Sequence, residues 1–353
     1  MAIDYKQIVP KMGINDPLYT CDIIGSGDRY AFKVNQDILV SANTKEYILA
    51  YRKKLFETRG IDIPADHDLS WRKDQAPLWT MDDLQDKATD LYLWVKFDEL
   101  GLSDGASITT VTDSGPLGSV LTANNGITYS TNAINSLGVA NMTADNDNFS
   151  IPDHANLDIN SGQLEMYVVF KTSSDWNSTL DSLSDQRYFA DKKDSSANFP
   201  RWSWQLGLIG GRGGATIKPA VSRLESGVTV SKKGSATTYA DSTVFLESFI
   251  QVDQTFDFYH NGSANGTPSG NNVVDPDSDG ILYIGNSSTK NQSIHSQLAE
   301  IIIIDHSLGA MVPQDSIREK IEGYLAHKWG IEGNLPADHT YKTYPPRRNA
   351  VYT

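Results

Sequence analysis

The stretch "QLAEIIIIDHSLG", residues 297–309, decides how this chain folds. Isoleucine is branched at Cβ, which makes it stiff and suits it to a pleated surface. Four in succession, at 301–304, place apolar side chains on both faces of a strand, so the segment predicts a strand covered on both sides. Neighbouring segments then have to supply the cover. "QLEMYVVFKT" (163–172) alternates Leu164, Met166, Val168 and Phe170 against Glu165, Tyr167, Val169 and Lys171, a period of two. "TFDFYHNG" (255–262) puts Phe256 and Phe258 on one face and turns at Asn261–Gly262, a hairpin signal. "GILYIGN" (280–286) adds a short strand, and Gly-, Ser-, Asn- and Asp-rich stretches lie between these segments. Many strands at short intervals with such turns predict a mostly β, antiparallel sandwich.

The flanks have a different texture. "PQDSIREKIEGYLAHKWG" (313–330) brings Ile317, Ile321, Leu325 and Trp329 to one helical face, with Ser316 and Glu319 as a capping box and Gly330 as the stop. At the other end, "SANTKEYILAYRKKLFETRG" (41–60) predicts one helix at about 44–58 among short β-like pieces. The organisation read from this is a small α+β N-terminal region over 1–90, a sandwich over 91–312, and a helix with an extended tail over 313–353. The motif [Ile/Leu]-Pro-Ala-Asp-His follows both helices, at 63–67 and 335–339. Chance and a small module used twice are both open readings of that echo.

Charge narrows the function classes. Of a formal net charge of −14, residues 90–312 carry 12 basic against 25 acidic side chains, while the flanks are close to balanced. An acidic middle argues against a nucleic-acid partner, which needs clustered Lys and Arg. The single cysteine, Cys21, excludes an intrachain disulfide and a thiolate zinc cluster. No run of eighteen apolar residues spans a membrane, and the N-terminus lacks a signal-peptide pattern.

Two oxygen-rich clusters invite a cation. In "DPDSDG", Asp275, Asp277 and Asp279 alternate ahead of Gly280, as a calcium loop begins. The twelfth position should be a bidentate glutamate and is Asn286, and Ile281–Ile284 reads as a strand. A plain turn is therefore the competing reading. "TADNDNFS", with Asp145 and Asp147, is the rival cluster, with the same alternative of a solvated loop. Chemistry-bearing motifs are absent: no nucleophile elbow, metalloprotease helix or phosphate loop occurs. Glu300 and Asp305 are five apart, which sets them on opposite faces of a strand rather than side by side for glycoside hydrolysis. The reading is a non-enzymatic chain, with a glycoside hydrolase as the weakest alternative.

Taken in order, "LYLWVKFDE", "DSGPLGS", "FSIPDHANLDINSGQLEMYVVFKTS", "FDFYHNG", "LYIGN" and "LAEIIIIDHSLG" resemble a concanavalin A-like (laminin G-like) jelly roll. The coda "REKIEGYLAHKWGIEGNLPADHTYKTYPP" is similar to the one that follows such domains in bacteriophage structural proteins, many of them marine, and in some bacterial surface proteins. The resemblance covers about residues 90–342. It implies two sandwiched antiparallel sheets, often a calcium ion near the rim, and a virion structural protein, decorating the capsid or belonging to a tail or collar. Other virion proteins, further copies of the chain and host-surface glycans are the partners expected, and the virion the location. The alternative is a carbohydrate-binding adhesin, a receptor-binding tail fibre or a bacterial surface protein. Trp176, Trp202 and Trp204 are the candidates for stacking on sugars, although "RWSWQL" also reads as a strand with Trp202 and Trp204 packed on one face. Tyr344, Arg347 and Arg348, in the proline-stiffened tail, are the candidates for assembly contacts.

Overall fold

The computed structural model describes residues 22–26, 29–34, 37–42, 78–84, 91–154, 157, 163–176, 186–194, 201–210, 217–225, 228–252, 255–267, 280–287, 292–304 and 314–346. Its contacts divide the chain into two compact units. One comprises Met1–Trp79 with Pro345–Thr353, the other Thr80–Tyr344. The first unit contains an antiparallel sheet of β1 (Asp22–Ser26), β2 (Arg29–Val34) and β3 (Asp37–Ala42), in that order. The helix expected at about 44–58 lies outside the described residues.

The second unit begins with Thr80, whose hydroxyl caps a 3-10 turn at Met81–Asp83. The strands that follow are β4 (Leu91–Lys96), β5 (Thr110–Thr112), β6 (Val120–Asn124), β7 (Thr128–Ile134), β8 (Leu137–Met142) and β9 (Asn148–Ile151). Next come β10 (Gln163–Thr172), β11 (Gln186–Asp194), β12 (Arg201–Ile209), β13 (Lys218–Glu225) and β14 (Val228–Lys233). The series closes with β15 (Val244–Val252), β16 (Thr255–His260), β17 (Ser263–Ala264), β18 (Ile281–Ile284) and β19 (Ser296–Ile304), then helix α1 (Gln314–Lys328). They form two antiparallel sheets of eight strands each. The first runs β17-β16-β15-β10-β19-β8-β7, with β4 also paired to β19; the second runs β14-β13-β12-β11-β18-β9-β6-β5. One apolar core lies between them, drawn from both, with Phe170 on Phe189 at 4.8 Å and Phe97 on Phe149 at 5.1 Å between ring centroids.

The isoleucine run is covered on both faces, as its sequence requires. Leu298, Ile301 and Ile303 face the core. A bulge at Ala299, where Val169 pairs with Glu300 but Phe170 pairs with Leu298, resets the alternation. Glu300, Ile302 and Ile304 therefore face away from the core, and they are buried as well. Their cover is α1. Ile321, Leu325 and Trp329 are buried as the apolar spacing predicts, while Ile317 is only half-buried.

One boundary detail differs from the sequence reading. The helix starts at Gln314, so Ser316 lies inside its first turn rather than at the cap. Nothing in Gln-Asp-Ser opposes an earlier start. The C-terminal end is as expected. Gly330 takes a left-handed conformation (φ 69°) and the Ile331 N–H reaches back to the Ala326 carbonyl at 2.8 Å, a Schellman closure.

Between helix and sheet lies a polar seam. The Glu300 carboxylate accepts four hydrogen bonds: Trp94 Nε1 (2.6 Å) and Tyr324 Oη (3.0 Å) at one oxygen, Lys328 Nζ (2.8 Å) and Trp329 Nε1 (2.9 Å) at the other. Lys328 also reaches Asp98 at 2.9 Å. Burial pulls the Lys328 pKa down, but Glu300 and Asp98 outweigh it and leave the ammonium stabilised. One turn earlier, Glu322 accepts from Ser248 Oγ (2.8 Å), Arg318 Nη1 (2.5 Å) and His339 Nε2 (3.3 Å). Arg318 also stacks over Tyr259 at 4.0 Å.

Trp329→Ala removes both a fully buried indole and a donor to Glu300. It should cost about 3–5 kcal/mol, the usual range for a large aromatic truncated in a core. A melting temperature within a degree of wild type would mean that the helix is not docked as described.

Candidate functional site

Of the two candidate cation clusters, Asp275, Asp277 and Asp279 lie outside the described residues. Asp145 and Asp147 are described, and their loop is committed elsewhere. Asp147 Oδ2 accepts the N–H groups of Thr143 (2.9 Å) and Ala144 (2.8 Å), a local turn cap. The carbonyls that could face a cation receive side-chain amides instead: Asn286 Nδ2 donates to Asp145 O (2.8 Å) and Asp147 O (3.0 Å), and Asn148 Nδ2 to Asn146 O (2.8 Å). Asp145 is largely exposed and pairs with His295. No group of three His, Cys, Asp or Glu side chains that could hold a metal occurs among the described residues. Asn286 occupies the place where a calcium loop needs glutamate. Fully buried, it also accepts from the Ser287 (2.7 Å) and Gln292 (2.9 Å) N–H groups. It thus ties three loops together, a task for an amide because it both donates and accepts.

The candidates for sugar stacking separate. Trp176 is fully buried in the core against Phe170, with ring centroids 6.2 Å apart, and so presents no face to a ligand. It is a core residue. Trp202 and Trp204 belong to β12, but their side chains lie outside the described residues. Of the assembly candidates, Tyr344 is 53% exposed. Arg347 and Arg348 lie outside the described residues.

One acid–imidazole pair was not anticipated. Glu247, fully buried, accepts His260 Nδ1 (2.5 Å) and Tyr239 Oη (2.8 Å) at the same oxygen, and its Oε2 has no partner. The Leu246 N–H donates to Asn261 Oδ1 (3.0 Å), which fixes that amide and turns its Nδ2 toward His260 Nε2 (3.3 Å). His260 Nε2 then faces a donor, which places a ring proton on Nδ1, toward Glu247. Burial raises the Glu247 pKa, against the lowering effect of its hydrogen bonds to His260 and Tyr239.

The second sheet offers a surface that no single segment of sequence reveals. Leu121, Phe149, Ile151, Leu282, Ile284, Leu206 and Leu208 point into the core, so the alternate residues of β6, β9, β18 and β12 face outward. Register aligns these outward residues in one row across six strands. Thr110 pairs with Thr122, Thr122 with Ser150, Ser150 with Tyr283, Tyr283 with Asp191, and Asp191 with Gln205. Five strand spacings make the row roughly 24 Å long. Exposure falls along it: Thr110 and Thr122 are exposed, Ser150 and Tyr283 half-buried, and Asp191 and Gln205 buried. Val120 (52% exposed) and Ile281 (41%) stand two residues from Thr122 and Tyr283, on the same face. Burial raises the pKa of Tyr283 and of Tyr188, and the negative charge of Asp191 adds to both shifts. Gln205 Oε1 is buried without a donor, which costs about 1–3 kcal/mol.

No family model matches this chain, and no curated protein does. Among solved structures, it is similar to the binding domain of Paraclostridial Mosquitocidal Protein 1, at 12% identity and a TM-score of 0.43, over 63% of this chain and 50% of that one. The botulinum neurotoxin serotype G binding domain matches at 14% identity and 0.40, over 62% and 48%. Domain 4 of AbnA, a GH43 extracellular arabinanase from Geobacillus stearothermophilus, solved with arabinotriose, matches at 14% and 0.41, over 62% and 94%. The chain spans about half the length of the toxin domains it matches. At such identities nothing about ligand or activity passes to it.

The raised Glu247 pKa makes a signed prediction. A carboxyl whose folded pKa lies above its ordinary 4.5 contributes stability below that value and loses it as pH rises through the folded pKa. Glu247→Gln keeps the acceptor for His260 and Tyr239 without the charge. Its melting temperature should gain on wild type between pH 4 and pH 8. A wild type that gains on the variant over that range would refute the assignment.

Proposed function

We propose that this chain is a non-enzymatic bacteriophage virion structural protein, capsid-decorating or tail- or collar-associated, that displays its sandwich outward. The observation that carries the reading is the way the C-terminal coda is used. The residues that make it resemble the coda of phage structural proteins are those that brace the first sheet: Lys328 and Trp329 on Glu300, and His339 on Glu322. The coda is thus integral to the sandwich rather than an appended linker. One sheet is backed by the helix, and the other keeps an outward face with exposed Thr110, Thr122, Val120 and Ile281. Residues 1–90 and the tail beyond Tyr344 hold the protein to neighbouring virion proteins or further copies of itself. The acidic sandwich, carrying most of the −14 charge, faces solvent.

A second reading, a carbohydrate-binding adhesin, is favoured by the row from Thr110 to Gln205. It shares the outward display and differs in what the face does. No metal or cofactor is needed for either role.

Antibody labelling of purified particles tests the first reading: label should decorate one particle feature at regular spacing. Deletion of residues 343–353 should then reduce incorporation severalfold while the melting temperature of the isolated protein changes little. Particles that never carry label would end the virion reading.

A further inference from the structure

We propose that Lys328 and Asp98 become joined by an isopeptide bond that the folded chain makes itself, with Glu300 as the catalytic carboxylate. The inference goes beyond the display role and does not depend on it. Amide formation between side chains needs an amine held against a carboxyl, a second carboxylate to move protons, and little water. All three requirements meet where β4, β19 and α1 come together. Lys328 Nζ lies 2.9 Å from Asp98 Oδ1 and 2.8 Å from Glu300 Oε2. Asp98 Cγ is one bond beyond the oxygen already touched, so the amine starts close to the roughly 3–3.5 Å separation from which such attacks proceed. The side chains of Lys328, Asp98 and Glu300 are 18%, 9% and 0% exposed. Asn135 Nδ2 donates to the Lys328 carbonyl at 2.8 Å and holds this end of the helix in place. An ion pair alone would need one carboxylate for the ammonium; the second, buried and already supplied with three other donors, is surplus to charge balance.

Those three donors are what allow the reaction. The resting ammonium cannot attack, and its proton must first move. Asp98 can take it, because burial raises that carboxyl's pKa and the Glu300 charge adds to the rise, against the lowering effect of Lys328. A neutral amine then sits beside a neutral acid. Glu300 keeps its charge meanwhile, since Trp94 Nε1, Tyr324 Oη and Trp329 Nε1 still donate to it and the amine still offers an N–H. Nζ adds to Asp98 Cγ. Glu300 accepts the proton that the nitrogen sheds as the C–N bond forms, and passes it to the hydroxyl of the tetrahedral centre. The C–O bond breaks, one water leaves, and Glu300 is again a carboxylate. One amine and one acid have become one amide and one water, with no other reagent. The bond ties the turn after β4 to the last residue of α1, 230 residues later, and so locks down the helix that covers the first sheet.

Intact mass spectrometry of the purified full chain under denaturing conditions tests the proposal. The chain should be lighter than its sequence by one water, and digestion should yield a branched peptide joining Asp98 to Lys328. Lys328→Arg keeps the cation and should restore the full mass. Asp98→Asn should still cross-link, with ammonia leaving in place of water, so its deficit should be that of one ammonia. Glu300→Gln should stay uncrosslinked; because it also disturbs a buried donor set, Lys328→Arg and Asp98→Asn carry the test if that variant does not fold. A wild-type chain of full mass, with Asp98 and Lys328 on separate peptides, would overturn the bond. So would a water loss that persists in Lys328→Arg, which would place it elsewhere, as in a cyclised aspartyl residue at Asp104–Gly105. A folded Glu300→Gln chain that still cross-links would overturn the role given to Glu300.

Discussion

A carboxylate buried under a helix is the constraint on which the C-terminal half of the sandwich is built. Glu300 projects from the central strand β19 toward α1 and is fully buried. A carboxylate taken out of water is tolerated only if its oxygens are filled with donors. Four donors converge on it, and they come from two separate places: Trp94 on β4, and Tyr324, Lys328 and Trp329 at the end of the helix. Removing any one leaves the charge partly unpaired. This is what fixes the helix in one register on the sheet, where apolar contacts from Ile321 and Leu325 alone would allow sliding. The same demand holds β4 against β19, so the first and last strands of the sandwich are joined by side chains as well as by their ladder.

Glu322 repeats the device from the opposite direction, with the charge on the helix and a donor from the sheet. Ser248 contributes from β15, Arg318 from the preceding turn of α1, and His339 from the segment after it. The Tyr341 N–H donates to His339 Nδ1, so the proton of that ring sits on Nε2 and points at Glu322. The Pro-Ala-Asp-His segment, one of two in the chain, therefore serves at this position to return a histidine to the helix. The partner of His339 there is a glutamate seventeen residues earlier in the chain.

Much of the fold is legible because each strand carries its own alternation. Leu164, Met166, Val168 and Phe170 face the core as their spacing requires, and the isoleucine run announces cover on two sides. The helical cover was legible only in part. Apolar spacing identifies Ile321, Leu325 and Trp329. It is silent on Arg318, Glu322 and Lys328, because a charged residue reads as exposed unless its partner is known. Those partners lie on other segments, as many as 230 residues away in the case of Lys328 and Asp98. The calcium question has the same origin. "TADNDN" looks like an oxygen cluster until its neighbours are known to be asparagine amides, and Asn286 comes from the bend after β18, 139 residues beyond Asp147.

The outward row of the second sheet was hidden for a related reason. Thr122, Ser150, Tyr283 and Asp191 are unremarkable polar positions in four strands, and no local pattern predicts that they will be aligned. Register does so, and register is set by the other face. Leu121, Ile151, Leu282 and Leu206 must pack against the first sheet, and a slip by one residue would expose them all. The residues between them have no such obligation. Buried packing thus determines where the row runs, and the chemistry along it is free to vary. That separation explains how one sandwich can be rigid enough to be braced by Glu300 and Glu322 on one side. The other side can still retain, in Gln205, an acceptor that folding alone leaves unsatisfied.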